Sequence, residues 1–248
     1  MEDMLGAETI EPVDGPAAKI LRAAGLKAVG TGKKLLDRIH VRLDEAKMLG
    51  RSGSVFLSAE AALSRNEIYF LGLNPGGTDD GLNAPSTISE SLCSTRLAIN
   101  AFDQDWSNET KTFEPGFAPM QKRFKFIANW LGIAYGAIPA ANLVFTRSTS
   151  ISSHHSYDRD RDAVEPVHQL IMDEIKPPRM WIMGDVSHAA QLLKFTQVEW
   201  RDSGYKNWSI GRGRGFFCGH QVEICHTPHL SFWDPSKNLE ALKFAFAT

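Results

Sequence analysis

Along the middle of the chain, short apolar runs alternate with stretches in which apolar residues return every three to four positions. The runs at 68–73, 142–145, 180–184 and 222–226 predict buried strands. Helical patterns separate them at 88–102, 120–131, 160–175 and 186–195, and a last helix is expected at about 236–246. Alternation of this kind predicts an α/β fold, a three-layer α/β/α sandwich with a central, mostly parallel four-stranded sheet. Upstream, 32–49 places Leu35, Leu36, Ile39, Leu43 and Met48 near one helical face. A helix at 17–24, opened by Pro16, and a short one at 58–64 precede the first strand. Residues 1–15 are acidic, carry Pro12 and Gly15, and read as a flexible tail. The expected organisation is thus one domain over 16–248 with an N-terminal helical extension over about 16–65. The run Gly211-Arg212-Gly213-Arg214-Gly215 reads as a flexible loop feeding an edge hairpin.

The 248 residues, 43% of them hydrophobic, suit one globular domain of the larger sort. A net charge of −2 gives no global attraction to nucleic acid or membrane, so any nucleic-acid binding depends on a local basic face. Lys111, Lys122, Arg123 and Lys125, with Arg147, are candidates for it. The 3 cysteines, Cys93, Cys218 and Cys225, are odd in number and widely spaced, which points to a reducing compartment. No apolar run is long enough to span a bilayer, and no secretory signal opens the chain. A soluble, monomeric, cytoplasmic protein is expected, with nucleoid or nucleus also open.

Two strand ends hold the candidate chemistry. The first run ends in Gly72-Leu73-Asn74-Pro75-Gly76-Gly77. Pro75 ends the strand, and the glycines allow a ligand to approach the backbone. Asn74 then sits at the carboxyl edge of a sheet, where α/β proteins gather their ligands. A plain Pro-Gly turn is the alternative. The last run ends in Cys225-His226-Thr227-Pro228-His229-Leu230-Ser231-Phe232-Trp233, two imidazoles beside an apolar, aromatic tip. Histidine is suited to donate a hydrogen bond to a developing anion near neutral pH. Cys225, His226 and His229 offer three metal ligands without a visible fourth, so no metal is expected. His154-His155 reads as surface, Arg159-Asp160-Arg161-Asp162 as the solvated start of a helix, and Cys218 as a small core residue.

Gly72-Leu73-Asn74-Pro75-Gly76 resembles the first motif of the uracil-DNA glycosylase superfamily, closest to its mismatch-specific and single-strand-selective branches. His226-Thr227-Pro228-His229-Leu230-Ser231 resembles the late His-Pro-Ser-Pro-Leu-Ser motif, matching at the His, the Leu and the Ser. Gly116-Phe117-Ala118-Pro119 resembles the segment with the base-stacking Phe, and Asn142-Leu143-Val144 the strand-end Asn that reads the pyrimidine edge. The four come in the family's order over about 68–233.

The resemblance implies a DNA glycosylase that hydrolyses the N-glycosidic bond of uracil or a related damaged base, with no metal and no cofactor. The reaction passes through an oxocarbenium-like sugar. Asn74 would orient the attacking water, and His226, or His229 if the turn is shifted, would donate to the leaving base. Gly72, Leu73, Pro75 and Gly76 would border the base, Phe117 would stack on it, and Asn142 would pair with its edge. Leu230 would wedge into the duplex, with Ser231, Lys122, Arg123 and Arg147 on DNA. The late motif departs from the pattern, since His229 replaces a Pro. The cysteine spacing does not offer the ligands of the iron–sulfur branches, so no cluster is expected. Asp79 and Asp80 could supply a general base or simply solvate their loop. A non-catalytic nucleic-acid or nucleotide binding relative is the alternative, and a hydrolase of free nucleosides or nucleotides a third reading.

Overall fold

The computed structural model describes residues 31–77, 86–107, 111–185 and 193–247. The expected tail, the helix at 17–24, Asp79, Asp80 and most of the helix at 186–195 lie outside them. Helix α1 (Thr31–Glu45) buries Leu35, Leu36, Ile39 and Leu43, the stripe that its sequence spacing predicts. Strand β1 (Ile68–Gly72) follows and is buried at all five positions. Helix α2 (Ile88–Arg96) starts at a capping box, in which Thr87 accepts from the Glu90 N–H and the Glu90 carboxylate accepts from the Thr87 N–H. It ends earlier than expected. Ala98 takes a positive φ of 59°, and the chain resumes as a 3-10 turn over Ala101–Asp103.

A two-stranded ribbon, β2 (Trp106–Ser107) with β3 (Thr112–Phe113), leads to α3 (Pro119–Trp130), with Pro119 in its first turn. Then come β4 (Ala140–Asn142), α4 (Tyr157–Ile175) and β5 (Arg179–Met183). Strands β6 (Leu193–Asp202), β7 (Ser209–Phe217) and β8 (His220–Thr227) form a meander, and α5 (Leu239–Phe246) closes the chain.

The main sheet has six strands in the order β4-β1-β5-β8-β7-β6, not the expected four. β4, β1, β5 and β8 are parallel, and β7 and β6 add an antiparallel hairpin. Residues 193–195, expected in a helix, open β6. Gly211–Gly215, expected as a loop, lies inside β7, paired on both sides. Helices cover both faces. Tyr69, Leu71, Met180, Ile182 and Ile224 pack with α1 and α4, whereas Ile68, Phe70, Trp181, Met183 and Cys225 pack with α3 and α5. The α3 side is tied by rings: Phe124 stacks on Phe102 and Trp181, with centroids 3.8 and 5.1 Å apart. The chain leaves β1 toward β4 but leaves β5 away from it, so the connections diverge between β1 and β5. Ligand crevices form beyond the carboxyl ends of strands at such a point. Among the described residues, no helix is long and apolar enough to cross a membrane.

Candidate active site at the carboxyl edge of the sheet

Register decides which side chains share a face. Gly72 pairs with Asn142, and Met183 pairs with Thr227. Since Leu71 pairs with Ile182, Gly72 lies beside Met183. Asn142, Gly72, Met183 and Thr227 therefore form the last row on the α3 face. The row behind it, Ala141, Leu71, Ile182, His226, Gly211 and Trp200, points to the α4 face.

Asn142 is 4% exposed, and a Cβ on Gly72 would stand 2.9 Å from its Oδ1. Gly72 is thus the gap into which the Asn142 amide fits. Its Nδ2 donates a long 3.4 Å bond to the Ser54 carbonyl. Two residues past β1, Asn74 is half-buried. Its Nδ2 donates to Ser148 Oγ at 2.9 Å, the Ser148 carbonyl at 3.2 Å and the Pro75 carbonyl at 2.9 Å. Its Oδ1 accepts no bond among the described residues and is the atom left to hold a water.

The loop holding Asn74 is itself anchored by buried charge. Thr146 donates to Asp160, which is 1% exposed and also accepts from Arg51 and Ser156. Burial raises the Asp160 carboxyl, but these three hydrogen bonds outweigh it and hold the group below the usual carboxylate range. With the Thr146 proton given to Asp160, the His154 Nε2–H donates to Thr146 Oγ1 at 2.7 Å, and the His154 side chain is 4% exposed. Two expectations are corrected here. The His154 side chain is turned inward rather than lying on the surface, and Asp160 and Arg161 are buried rather than solvated. Charge alternation hid the anchor, because its partners Arg51 and Thr146 are far off in sequence.

His226 is not on the α3 face. It is 5% exposed, its Nε2 donates to the Gly184 carbonyl, and its ring meets Trp200 edge-on at 5.2 Å. Burial lowers its pKa, opposed by the Gly184 bond and by Asp185. The Nε2–H that His226 would offer a leaving base is thus already given to the Gly184 carbonyl. Cys225 faces the α5 side instead, so Cys225 and His226 cannot ligate one metal, and burial pushes the Cys225 thiol up to about 12. Among the described residues, no three His, Cys, Asp or Glu side chains gather to hold a metal ion.

His229, in the turn after β8, has the geometry that His226 lacks. Its Nδ1 accepts from the Ser231 N–H at 3.1 Å, which puts its proton on Nε2. Burial lowers its pKa, so the ring is a neutral donor at pH 7. Among the described residues, no group accepts from that Nε2–H. Leu230 is corrected as well. It is fully buried in the α3 cluster, and its carbonyl accepts from Arg123 at 2.7 Å, so it is not an exposed wedge. The exposed apolar residue of this turn is Phe232, at 58%.

Phe117 is 63% exposed at the head of α3, beyond Gly116 with its φ of 80°. Lys122 is exposed and Arg147 donates to the Gly76 carbonyl, while Leu73 and Pro75 are buried. Asn142 and Phe117 thus belong to the α3 side, where the turn with His229 also packs through Leu230. No hydrogen bond joins Asn74 to His226 or His229 among the described residues. Cavities of about 480 Å³ around His40 and Cys93, and of about 660 Å³ around Arg212 and Glu223, both lie away from this edge. No protein-family model and no curated protein matches the chain.

Proposed function

We propose that the chain is a DNA glycosylase that releases uracil or a related base by hydrolysing its N-glycosidic bond, with DNA as its macromolecular partner. The observation that carries the reading is the last row of the α3 face, where Asn142 fits into the space of Gly72, two residues before Asn74 in the chain. A planar base over that row would meet an amide that reads a pyrimidine edge, and the exposed Phe117 ring would cover it. Asn74 Oδ1 would orient the water, since an amide cannot ionise and acts by position. The neutral His229 Nε2–H would donate to the base as it leaves with negative charge. Using His229 in place of His226 follows from the hydrogen bonds each already makes.

The test is a gel assay of uracil in single-stranded and duplex DNA, followed by alkaline cleavage, with the Asn74→Ala variant beside the native chain. Excision by the native chain, slowed about 10²-fold or more in the variant, is the expected result. Equal activity in both would reject the mechanism. No excision with DNA binding retained would favour a second reading, a nucleic-acid or nucleotide binding relative without catalysis. The inward turn of His226 and the burial of Leu230 are what favour that second reading.

A further inference from the structure

The hairpin β6–β7 ends at the same edge of the sheet as β8, because β6 runs parallel to β8 with β7 between them. Its turn, 203–208, holds two rings, Tyr205 and Trp208, 5.5 Å apart at 73°. Trp208 meets Phe232 at 6.0 Å, and Phe232 meets His229 at 5.7 Å. Four rings thus form an unbroken row from His229 out to the hairpin tip. The row is firmly seated. Trp233 is fully buried behind it and donates from Nε1 to the Ser203 carbonyl at 3.0 Å, locking the two turns together. Yet the rings stay partly open to solvent, with Phe232 58% exposed. Holding that much aromatic surface in water is unfavourable unless something covers it.

The charges beside the row are mostly positive. Lys206 lies over the Tyr205 ring at 5.3 Å, Arg123 donates to the Leu230 carbonyl, and Arg123 and Lys237 flank Asp234 just past Phe232. Two carboxylates also lie near and keep their charge: Asp202 accepts from the Gly204 N–H, and Asp234, raised by burial but held below the usual carboxylate range by its hydrogen bonds to Ser236, faces Arg123 and Lys237. Cations beside a line of rings suit a polyanion that carries flat faces. The chain as a whole has a net charge of −2, so this is a local feature.

We propose that the Tyr205–Trp208–Phe232 row is a stacking platform for unpaired nucleotides of single-stranded DNA. It rests on the glycosylase reading in one respect: the strand would run from the platform to the base held at Asn142. Duplex DNA keeps its base faces stacked on one another and cannot use the platform, so the row selects single strands. Sequence matters little, because every base has a π-face.

The probe is a uracil-free 15-mer of deoxythymidine, titrated at several salt concentrations beside a uracil-free duplex of equal length. The Phe232→Ala variant should bind the single strand about 10-fold more weakly, within the range found for loss of one stacked base, with an unchanged salt slope. Lys206→Ala should instead lower the salt slope by about 1. Phe232 is exposed, so its removal leaves the core intact, and a circular dichroism melt checks this. Equal losses on single strand and duplex in Phe232→Ala would overturn the platform, as would no loss on either. The probe has no base to excise, so its outcome is separate from that of the excision assay. A chain that excises nothing and still loses single-strand binding in Phe232→Ala keeps the platform and loses the glycosylase reading.

Discussion

His226, near the end of β8, and His229, in the turn after it, differ in what their ring nitrogens are already doing. His226 uses its Nε2–H on the Gly184 carbonyl, whereas His229 accepts at Nδ1 and keeps Nε2–H for another group. His229→Ala should therefore slow excision by about 10²–10³-fold, the cost of one lost donor to a developing oxyanion. His226→Ala should leave the rate per folded molecule intact and lower stability by about 1–3 kcal/mol, since the Gly184 carbonyl loses its partner. Single-turnover rates and urea midpoints on both variants distinguish the roles, and the reverse pattern would return the donor role to His226. Gly72→Ala tests the base-reading row. The added Cβ would sit 2.9 Å from Asn142 Oδ1, so the amide must move. Even a shift of a fraction of an ångström in a base-reading amide is expected to slow excision, by up to about 10²-fold. Retained activity in Gly72→Ala would remove Asn142 from base reading.

At the scale of elements, β7 is where glycine carries the architecture. Gly211, Gly213 and Gly215 pair with His226, Ile224 and Val222, so all three face the α4 side. The Trp200 indole lies over Gly211, within 2.6 Å of a would-be Cβ, and the bulged β6 backbone passes over Gly213, with Val198 Cα at 2.8 Å. A side chain at either position would push β6 off β7. Gly213→Ala should then loosen the hairpin more than the parallel core, with amide exchange faster in β6 and β7 and nearly unchanged in β1 and β5. Uniform protection would show that β6 can yield without detaching. These glycines also explain a misreading. Local sequence marks Gly-Arg-Gly-Arg-Gly as a loop, because glycine weakens a strand unless another backbone approaches closely, and that approach is set by a partner strand. The parallel strands β1, β5 and β8 and helices α1, α3 and α4 were legible because their signal is local: apolar runs, helical spacing, and Pro119 at a helix start. The run expected at 142–145 meets β4 (Ala140–Asn142) at Asn142 alone, because the residues that pair with β1 there are the small Ala140 and Ala141. Face assignment was not. The residues that split His226 from Thr227 are their partners Gly211 and Met183, known only once the register is fixed. The strand-end Asn74 could be read from Gly-Leu-Asn-Pro-Gly, but Ser148 and Asp160, which hold it, could not.

For the molecule as a whole, buried neutral groups set how stability changes with pH. His168 is fully buried, donates from Nε2 to the Leu143 carbonyl at 2.8 Å, and packs between Phe145 and Phe217. Burial pulls its pKa from 6.5 down to about 4, against the opposing effect of the Leu143 bond. The unfolded chain takes up this proton below pH 6.5 and the folded chain does not, so stability falls as pH drops from about 6.5 to about 4. Over that window His168 alone accounts for about 3 kcal/mol. His226 and His229 are shifted in the same direction and add to the slope. Asp160, held below 3.8, opposes nothing in this range, because its stabilisation is lost only at lower pH. On the alkaline side, burial pushes Cys218 and Cys225 from 9 up to about 12, so the unfolded thiols ionise first and stability falls again above pH 9. A plateau from about pH 6.5 to 9 is expected, with losses on both flanks. His168→Gln keeps a donor for the Leu143 carbonyl and removes the titration. Its urea midpoint should be lower than that of the native chain at pH 7.5 but should fall less between pH 6.5 and 4.5. Parallel curves for the two proteins across that window would assign the acid slope to His226 and His229 and leave His168 without a part in it.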